Sequence, residues 1–141
     1  VVLAISETVR DGSSMVAMLG DRGRAHEVLR PAMFLGEPAP FPIAPWLIAA
    51  TLDLPVLLCL GTYRGGNRYD LVFEPLADRV VLPRAGREAA LDACIGLYAS
   101  RLEHYVRDAP YNWFNFYDFW HSLPPEEAEQ RQPAVAAGHA E

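Results

Sequence analysis

One apolar run that ends in a charged, glycine-containing loop constrains the fold of this chain more than any other stretch. Val16 to Leu19 is short and apolar throughout, which predicts a buried strand, and Gly20-Asp21-Arg22-Gly23 follows it directly. Buried parallel strands read as continuous apolar runs, and in open α/β sheets ligands gather beyond the carboxyl ends of such strands. The sequence therefore predicts a site that begins at Asp21; the alternative is an ordinary solvated turn.

The rest of the chain alternates between helical and strand-like patterns. Helices are predicted over residues 1–10, 44–52 and 87–107. Strands are predicted over residues 56–60, 69–74 and 80–82, the first two joined as a hairpin by Gly65-Gly66-Asn67. Prolines at positions 38, 40, 42 and 45 predict a rigid connector without ladder hydrogen bonds, which is either the wall of a binding groove or a plain structural crossover.

Residues 110–120, PYNWFNFYDFW, carry seven aromatic side chains. Pro110 suits the first turn of a helix, and a helix here would place Trp113, Phe116, Tyr117 and Trp120 on one face. Two destinations remain open for that face, the protein core or a membrane interface, where Trp and Tyr rings are favoured. Residues 122–141 are acidic and rich in Pro, Gln and Ala, which predicts a disordered tail.

Charge and residue usage exclude several classes of function. The net charge of -6 and the lack of a basic stripe argue against nucleic-acid binding. All 12 basic residues are arginines, so Schiff-base chemistry and a P-loop lysine are excluded for this chain. Cys59 and Cys94 form no C-x-x-C pair and have no histidine at ligand spacing, which predicts two small buried hydrophobic residues and no metal site.

The apolar runs and the N-terminal residues indicate whether the chain carries a membrane span or a signal peptide and whether it is part of a longer protein. No apolar run is long enough to span a bilayer, and no charged segment that would open a signal peptide precedes the apolar start. The first residue is Val1 rather than methionine, and the chain is apolar from Val1 to Ile5. We therefore expect it to be a piece of a longer protein.

Four blocks of the sequence carry a resemblance to a known family. In order and spacing they resemble the C-terminal half of the bacterial lipid A biosynthesis acyltransferases, in the lysophospholipid acyltransferase-like superfamily. The blocks are MLGDRG (18–23), FLGEPAPFP (34–42), LPVLLCLGTYR (54–64) and LYASRLEHYVRDAPYNWFNFYDFW (97–120). The resemblance implies an α/β domain with a central mixed β-sheet flanked by helices, glycerol-3-phosphate acyltransferase-like. Residues 1–121 would be its C-terminal part and 122–141 the tail.

The resemblance also implies an activity. Such enzymes move a fatty acyl group from a thioester on acyl carrier protein or coenzyme A to a hydroxyl of a lipid or glycolipid, peripherally on the cytoplasmic side of the bacterial inner membrane. A His-x-x-x-x-Asp/Glu motif in the N-terminal half does the chemistry, the histidine as general base and the carboxylate holding its tautomer. No matching block here contains that motif, so we expect it upstream of Val1. No catalytic residue and no bound cofactor are assigned to this chain.

The substrate-binding residues follow from the same resemblance. Asp21 and Arg22 match the charged loop after a central strand, Phe34 and Gly36 match a Phe-x-Gly block near the acyl groove, and Arg64 matches a basic position after the next strand. All five are assigned to donor or acceptor positioning. Arg22 and Arg64 are the candidates for contact with phosphate or phosphopantetheine, and none of the five has a proton-transfer role.

A second hypothesis belongs to a different class of function. A non-catalytic α/β module would keep the fold and use its aromatic helix to dock on a membrane or a partner. If the chain is instead half of a domain, it should expose a large apolar patch where the other half packs, and self-association through that patch is expected.

Overall fold

Two antiparallel hairpins and three helices make up this small α/β fold. The computed structural model describes residues 2–9, 12, 14–23 and 27–120, so the predicted tail at 122–141 lies outside the described residues. The elements are α1 (Val2–Val9), β1 (Leu29–Phe34), β2 (Glu37–Pro42), α2 (Ala44–Leu52), β3 (Val56–Tyr63), β4 (Tyr69–Ala77), α3 (Arg87–Asp108) and a single 3₁₀ turn (Pro110–Asn112). Within the described residues the strands form two separate two-stranded sheets, β1-β2 and β3-β4, and not a central mixed sheet.

The proline-rich stretch is a strand, where the sequence predicted a connector. β1 and β2 pair antiparallel, with Pro31 opposite Pro40. Hydrogen-bonded and non-hydrogen-bonded pairs alternate along such a ladder, so residues two apart occupy the same kind of pair. Pro38, Pro40 and Pro42 are spaced by two. Counted from the pair that closes the turn, they fall in non-hydrogen-bonded pairs, where the missing N–H has no ladder partner to lose.

The turn between β1 and β2 consists of Leu35 and Gly36, both with positive φ (54° and 96°). A two-residue turn of the I′ type requires this geometry, which glycine adopts readily and leucine rarely. The Leu35 N–H donates to Glu103 Oε2 on α3 at 2.7 Å, and its side chain packs against the core. The turn is therefore held from the neighbouring helix, and Gly36 lies exposed at its tip.

Glu103→Ala is expected to lower the free energy of unfolding by about 1–3 kcal/mol, because the part-buried Leu35 N–H loses its acceptor. Glu103 also pairs with Arg107, one helical turn further along α3, at 2.7 Å. Such helix-surface pairs contribute about 0.5 kcal/mol or less. Arg107→Ala removes only the ion pair and is the control. Urea unfolding of both variants is the measurement, and equal losses would contradict the role given to the Leu35 hydrogen bond.

The second hairpin, β3-β4, is the one that the sequence predicted, and both strands extend beyond the predicted ends. Gly65 and Gly66 have positive φ (92° and 61°) at the turn between them. Side chains alternate between a face directed at the rest of the fold and a face directed outward. Cys59 lies on the outward face and is exposed, so its predicted burial is wrong. Cys94 on α3 is half-buried, and burial raises the pKa of its thiol.

α3 is the long amphipathic helix that the sequence predicted, and it contacts both hairpins. Its buried stripe consists of Leu91, Ile95, Ala99, Leu102 and Val106. Arg30 of β1 forms a two-point ion pair with Asp92 of α3, at 2.7 and 3.1 Å. Arg101 of α3 contacts Glu74 of β4 at 2.5 and 2.8 Å. The helix thus joins two sheets that share no strand.

α1 and α2 are confirmed as helices. α2 has Pro45 in its first turn and ends at Asp53, which is left-handed (φ 54°) and donates its N–H to the Ala49 carbonyl. Trp46 and Ala49 are buried, whereas most of the other α2 side chains are only partly covered. The helix is therefore only partly enclosed, although its sequence is apolar on nearly all faces.

Two predicted strands are not formed. Residues 14–19 have no regular structure, and Val16 and Leu19 are exposed rather than buried. No strand pairs with this segment in the described ranges, and an isolated strand leaves its backbone hydrogen bonds to water. Residues 80–82 are also irregular, although Val80 is buried in the core. The strand that was predicted to end just before Asp21 is therefore absent. Whether a site lies at Asp21 depends on the contacts of Asp21 itself.

Candidate functional site

The Asp21 carboxylate is the buried polar group around which several predicted site residues gather. Only 8% of the residue is exposed. Its Oδ1 accepts a hydrogen bond from Arg22 Nε at 3.1 Å, and its Oδ2 accepts from Arg22 Nη2 at 2.7 Å and Trp113 Nε1 at 3.2 Å. These donors offset the cost of burying a carboxylate. Asp21 therefore does not belong to an ordinary solvated turn.

The same contacts determine the protonation of Asp21. Burial raises the pKa of this carboxyl, but the hydrogen bonds from Arg22 and Trp113, with the charge of Arg22, outweigh burial. The pKa of Asp21 therefore lies below its ordinary value of 3.8. An ionised carboxylate of low basicity suits the orientation of donors and not proton abstraction.

The residue before this carboxylate, Gly20, lies with its backbone against the Tyr98 ring of α3. A Cβ added at Gly20 would lie 2.8 Å from Tyr98 Cζ. Tyr98 is in turn held by ring contacts with Phe41 and Trp46, at centroid distances of 5.9 and 6.5 Å. The glycine is required here for close packing. The sequence pattern indicates only a glycine in a loop or turn at this position.

Gly20→Ala is expected to lower the free energy of unfolding by about 1–3 kcal/mol, because the added methyl group overlaps a ring that its neighbours hold in place. The control is Gly61→Ala in β3, where the new Cβ would lie 3.6 Å from a Leu71 methyl, an ordinary contact. Thermal unfolding followed by circular dichroism compares the two. If Gly20→Ala costs no more than Gly61→Ala, the packing explanation is wrong.

An aromatic cluster adjoins the carboxylate and is centred on Phe34 at the end of β1. The Phe34 ring lies 5.1 Å from Trp113, 5.8 Å from Phe119 and 6.2 Å from Trp120, measured between centroids. Trp120 Nε1 also donates to the Phe34 carbonyl at 3.5 Å. Because Trp113 contacts both Phe34 and Asp21, the cluster and the carboxylate form one continuous site.

The aromatic segment at 110–120 is not the predicted helix. Only Pro110–Asn112 form a 3₁₀ turn, and the following residues are irregular. Trp113 and Trp120 pack on Phe34, whereas Phe116 is 92% and Tyr117 47% exposed, so the four predicted residues do not share one face. Asparagine and aromatic residues have low helix propensity, and the ring contacts with Phe34 direct the chain instead.

Arg64 lies away from the aromatic cluster, at the tip of the β3-β4 hairpin. Its Nε donates to Asp70 Oδ2 at 2.7 Å. The preceding Tyr63 N–H donates to Asn112 Oδ1 at 2.6 Å, which attaches the end of β3 to the aromatic segment. An open groove of about 300 Å³ lies between the β3-β4 hairpin and the aromatic segment. It is lined by Gly61, Tyr63, Tyr69, Tyr111, Asn112 and Phe114.

Three residues of this region were not predicted as site residues: Tyr98, Asn112 and Phe119. Tyr98 is one of the regularly spaced apolar residues of the helix predicted at 87–107, and that spacing indicates only a core position. Burial, together with the nearby Asp21 charge, raises its pKa, so the phenol stays protonated. Phe119 was one of seven aromatic residues in a row, and its complete burial depends on long-range contacts with β1 and β2.

Across the described ranges, no three His, Cys, Asp or Glu side chains lie close enough together to hold a metal ion. None of the helices described is both long and apolar enough to cross a membrane. In comparisons with known proteins, no family model, no curated protein and no solved structure matches the chain.

Proposed function

We propose that this chain is the substrate-positioning part of an acyltransferase that moves a fatty acyl group from a thioester to a hydroxyl of a lipid or glycolipid. The donor is acyl carrier protein or coenzyme A thioester, and the reaction takes place at a membrane surface. A His-x-x-x-x-Asp/Glu pair upstream of Val1 supplies the general base. That upstream part also completes the glycerol-3-phosphate acyltransferase-like sheet.

The observation that carries this proposal is the meeting of separate blocks at one carboxylate. Asp21 and Arg22 come from the first resembling block, Phe34 from the second and Trp113 from the fourth. Hydrogen bonds join Asp21 to Arg22 and Trp113, and a ring contact joins Trp113 to Phe34. Three of the five residues that the resemblance assigned to substrate positioning, Asp21, Arg22 and Phe34, thus meet through Trp113, which supports a common role for these three.

Arg22 has the geometry of an anion-binding residue in this arrangement. Asp21 fixes its guanidinium through two hydrogen bonds, and 39% of the side chain remains exposed. Asp21 accepts from Nε and Nη2, and the Phe114 carbonyl accepts from Nη2, so the N–H donors of Nη1 are the ones that would bind a phosphate oxygen. Phe114, whose carbonyl accepts from Arg22, and Tyr117 are exposed by 63% and 47%, so their rings offer apolar surface to an acyl chain, with the buried Phe34 cluster behind them. We therefore assign Arg22 to the phosphate of the donor and the exposed rings of Phe114 and Tyr117 to its acyl portion.

Steady-state acyl transfer by the intact protein tests this role. Arg22→Gln is expected to raise KM for the acyl thioester about 10-fold to 100-fold, since one charge-assisted contact is lost. Arg84→Gln is the control, because Arg84 is an exposed arginine outside the site, and its KM should equal that of the wild type. An unchanged KM in Arg22→Gln would contradict the proposed phosphate contact.

A specific observation favours the second candidate, a non-catalytic module that docks on a membrane or partner. Tyr111, Phe114 and Phe116 are all strongly exposed, and the last two rings stack at 6.2 Å with an interplanar angle of 14°. Exposed aromatic rings suit a membrane interface. Two results together would select this candidate. The intact protein binds phospholipid vesicles and Phe116→Ser abolishes that binding, and the intact protein transfers no acyl group from any thioester.

A further inference from the structure

One face of the β3-β4 hairpin remains exposed although it is almost entirely apolar. The register places Cys59 opposite Phe73 and Gly61 opposite Leu71, so these residues are cross-strand neighbours on a continuous surface. We name it the outer face. It consists of Leu57, Cys59, Gly61, Tyr63, Tyr69, Leu71, Phe73 and Pro75, all exposed.

The outer face is large enough for a stable contact. Its five large side chains are between 47% and 67% exposed. Together they leave on the order of 600 Å² of apolar surface in water, given the area of such side chains. That is at the upper end for the largest patch on an ordinary monomer, roughly 300–600 Å². Two such faces in contact would bury on the order of 1,200 Å², the lower end of specific protein interfaces.

Charge also suits contact between identical surfaces. The chain carries a net charge of -6, so most of its surfaces would repel a second copy. The outer face has no charged residue. The acidic residues of β4, Asp70 and Glu74, lie on the opposite face of the hairpin and pair with Arg64 and Arg101. Two outer faces can therefore meet without like charges in contact.

Two other occupants fit the outer face less well. Residues 122–141 contain four glutamates and no aromatic residue, so their composition does not complement an apolar sheet. An anionic lipid surface is recognised through basic side chains beside the apolar ones, and the outer face contributes none.

We infer that two copies of this chain associate through their outer faces, packed as two sheets about 10 Å apart. The contact is isologous, so each outer face buries the same residues against its counterpart. This inference makes no use of the site at Asp21. The upstream part that the proposed function adds is the competing occupant, and protection of Cys59 in an intact protein that stays monomeric would overturn the inference.

The two cysteines provide a direct measurement in the wild-type chain. Cys59 lies on the outer face, and half-buried Cys94 lies on α3 and serves as an internal reference. Maleimide labelling, read by peptide mass spectrometry, is combined with sedimentation over a series of protein concentrations. We expect Cys59 labelling to slow in proportion to the dimer population, while Cys94 labelling stays constant. A dimer in which Cys59 labels at the monomer rate would overturn the inference.

A pair of variants tests the same surface independently. Leu71→Glu puts a carboxylate in the outer face, and Val81→Glu is the control, since Val81 is similarly exposed (63% against 67%) but outside the outer face. We expect Leu71→Glu to weaken dimerisation at least about 100-fold, because burying unpaired carboxylates is costly. Val81→Glu should leave dimerisation unchanged. A monomeric wild type at every concentration, or protection of Cys59 only when vesicles are added, would overturn the inference.

Discussion

Phe34→Ala is expected to lower the free energy of unfolding by about 3–5 kcal/mol, as for other truncations of fully buried aromatic side chains. The Phe34 ring contacts Trp113, Phe119 and Trp120, and it also contacts Phe41 at a centroid distance of 5.8 Å. Removing it opens a cavity at the point where β1, β2 and the aromatic segment meet. The loss combines the transfer free energy of the ring with the cost of that cavity.

Phe116→Ala is the matched control for this truncation. Phe116 belongs to the same aromatic segment but is 92% exposed, so its replacement should change stability by about 0.5 kcal/mol or less. Urea unfolding monitored by tryptophan fluorescence compares the variants, because Trp113 and Trp120 both adjoin Phe34. Similar losses in both variants would show that Phe34 is not the centre of the cluster.

Asp21→Asn is expected to cost about 1–3 kcal/mol at neutral pH, because it removes the charge that holds the Arg22 guanidinium and the Trp113 N–H. Asp70→Asn is the control, since Asp70 pairs with Arg64 on the exposed hairpin tip. Exposed ion pairs of that kind contribute about 1 kcal/mol or less. Urea unfolding of both variants is the measurement, and an Asp21→Asn loss no larger than that of Asp70→Asn would contradict the role given to Asp21.

The Asp21 substitution also has an expected pH dependence. In the folded state burial raises the pKa of Asp21, but its hydrogen bonds outweigh burial, and the net value lies below the ordinary 3.8. A lowered pKa means that the stabilisation is complete above the unfolded-state pKa and is lost as pH falls through the folded-state pKa. The stability difference between wild type and Asp21→Asn should therefore be constant near neutral pH and shrink below pH 3.8. A difference that persists unchanged in acid would contradict this.

The elements that could be predicted from the sequence are those specified by local patterns. The stripe of α3 and the Gly65-Gly66 turn of the second hairpin carry their own periodicity and turn chemistry, and both elements form as predicted. β1 and β2 were missed because four prolines suggested a connector. The one local signal for a ladder was the spacing of Pro38, Pro40 and Pro42 by two residues, which is compatible with non-hydrogen-bonded positions of a strand.

The wrong predictions concern segments whose structure depends on distant contacts. A strand at 16–19 needs a paired neighbour, and the described part of the chain provides none. The segment at 110–120 packs its rings on Phe34, which lies far away in the sequence, and this packing replaces the predicted helix. Single-sequence patterns contain neither kind of information.

The candidate site was predictable in part. Asp21, Arg22 and Phe34 were identified through a resemblance, and the structure brings them together through Trp113. Arg64 and Gly36 belong to two hairpin turns, and their assignment to substrate positioning stays a prediction. Tyr98 was missed because nothing in a helical stripe distinguishes a ring that packs on Gly20 from any other core residue.

Acyl transfer from an acyl carrier protein thioester by the intact protein, with its natural upstream sequence, tests the proposed function most directly. We expect a His-x-x-x-x-Asp/Glu pair upstream of Val1. Replacing that histidine with alanine should lower the transfer rate at least about 100-fold, the usual contribution of a general base. An intact protein that lacks the pair, or that transfers acyl groups equally well after the replacement, would contradict the proposal.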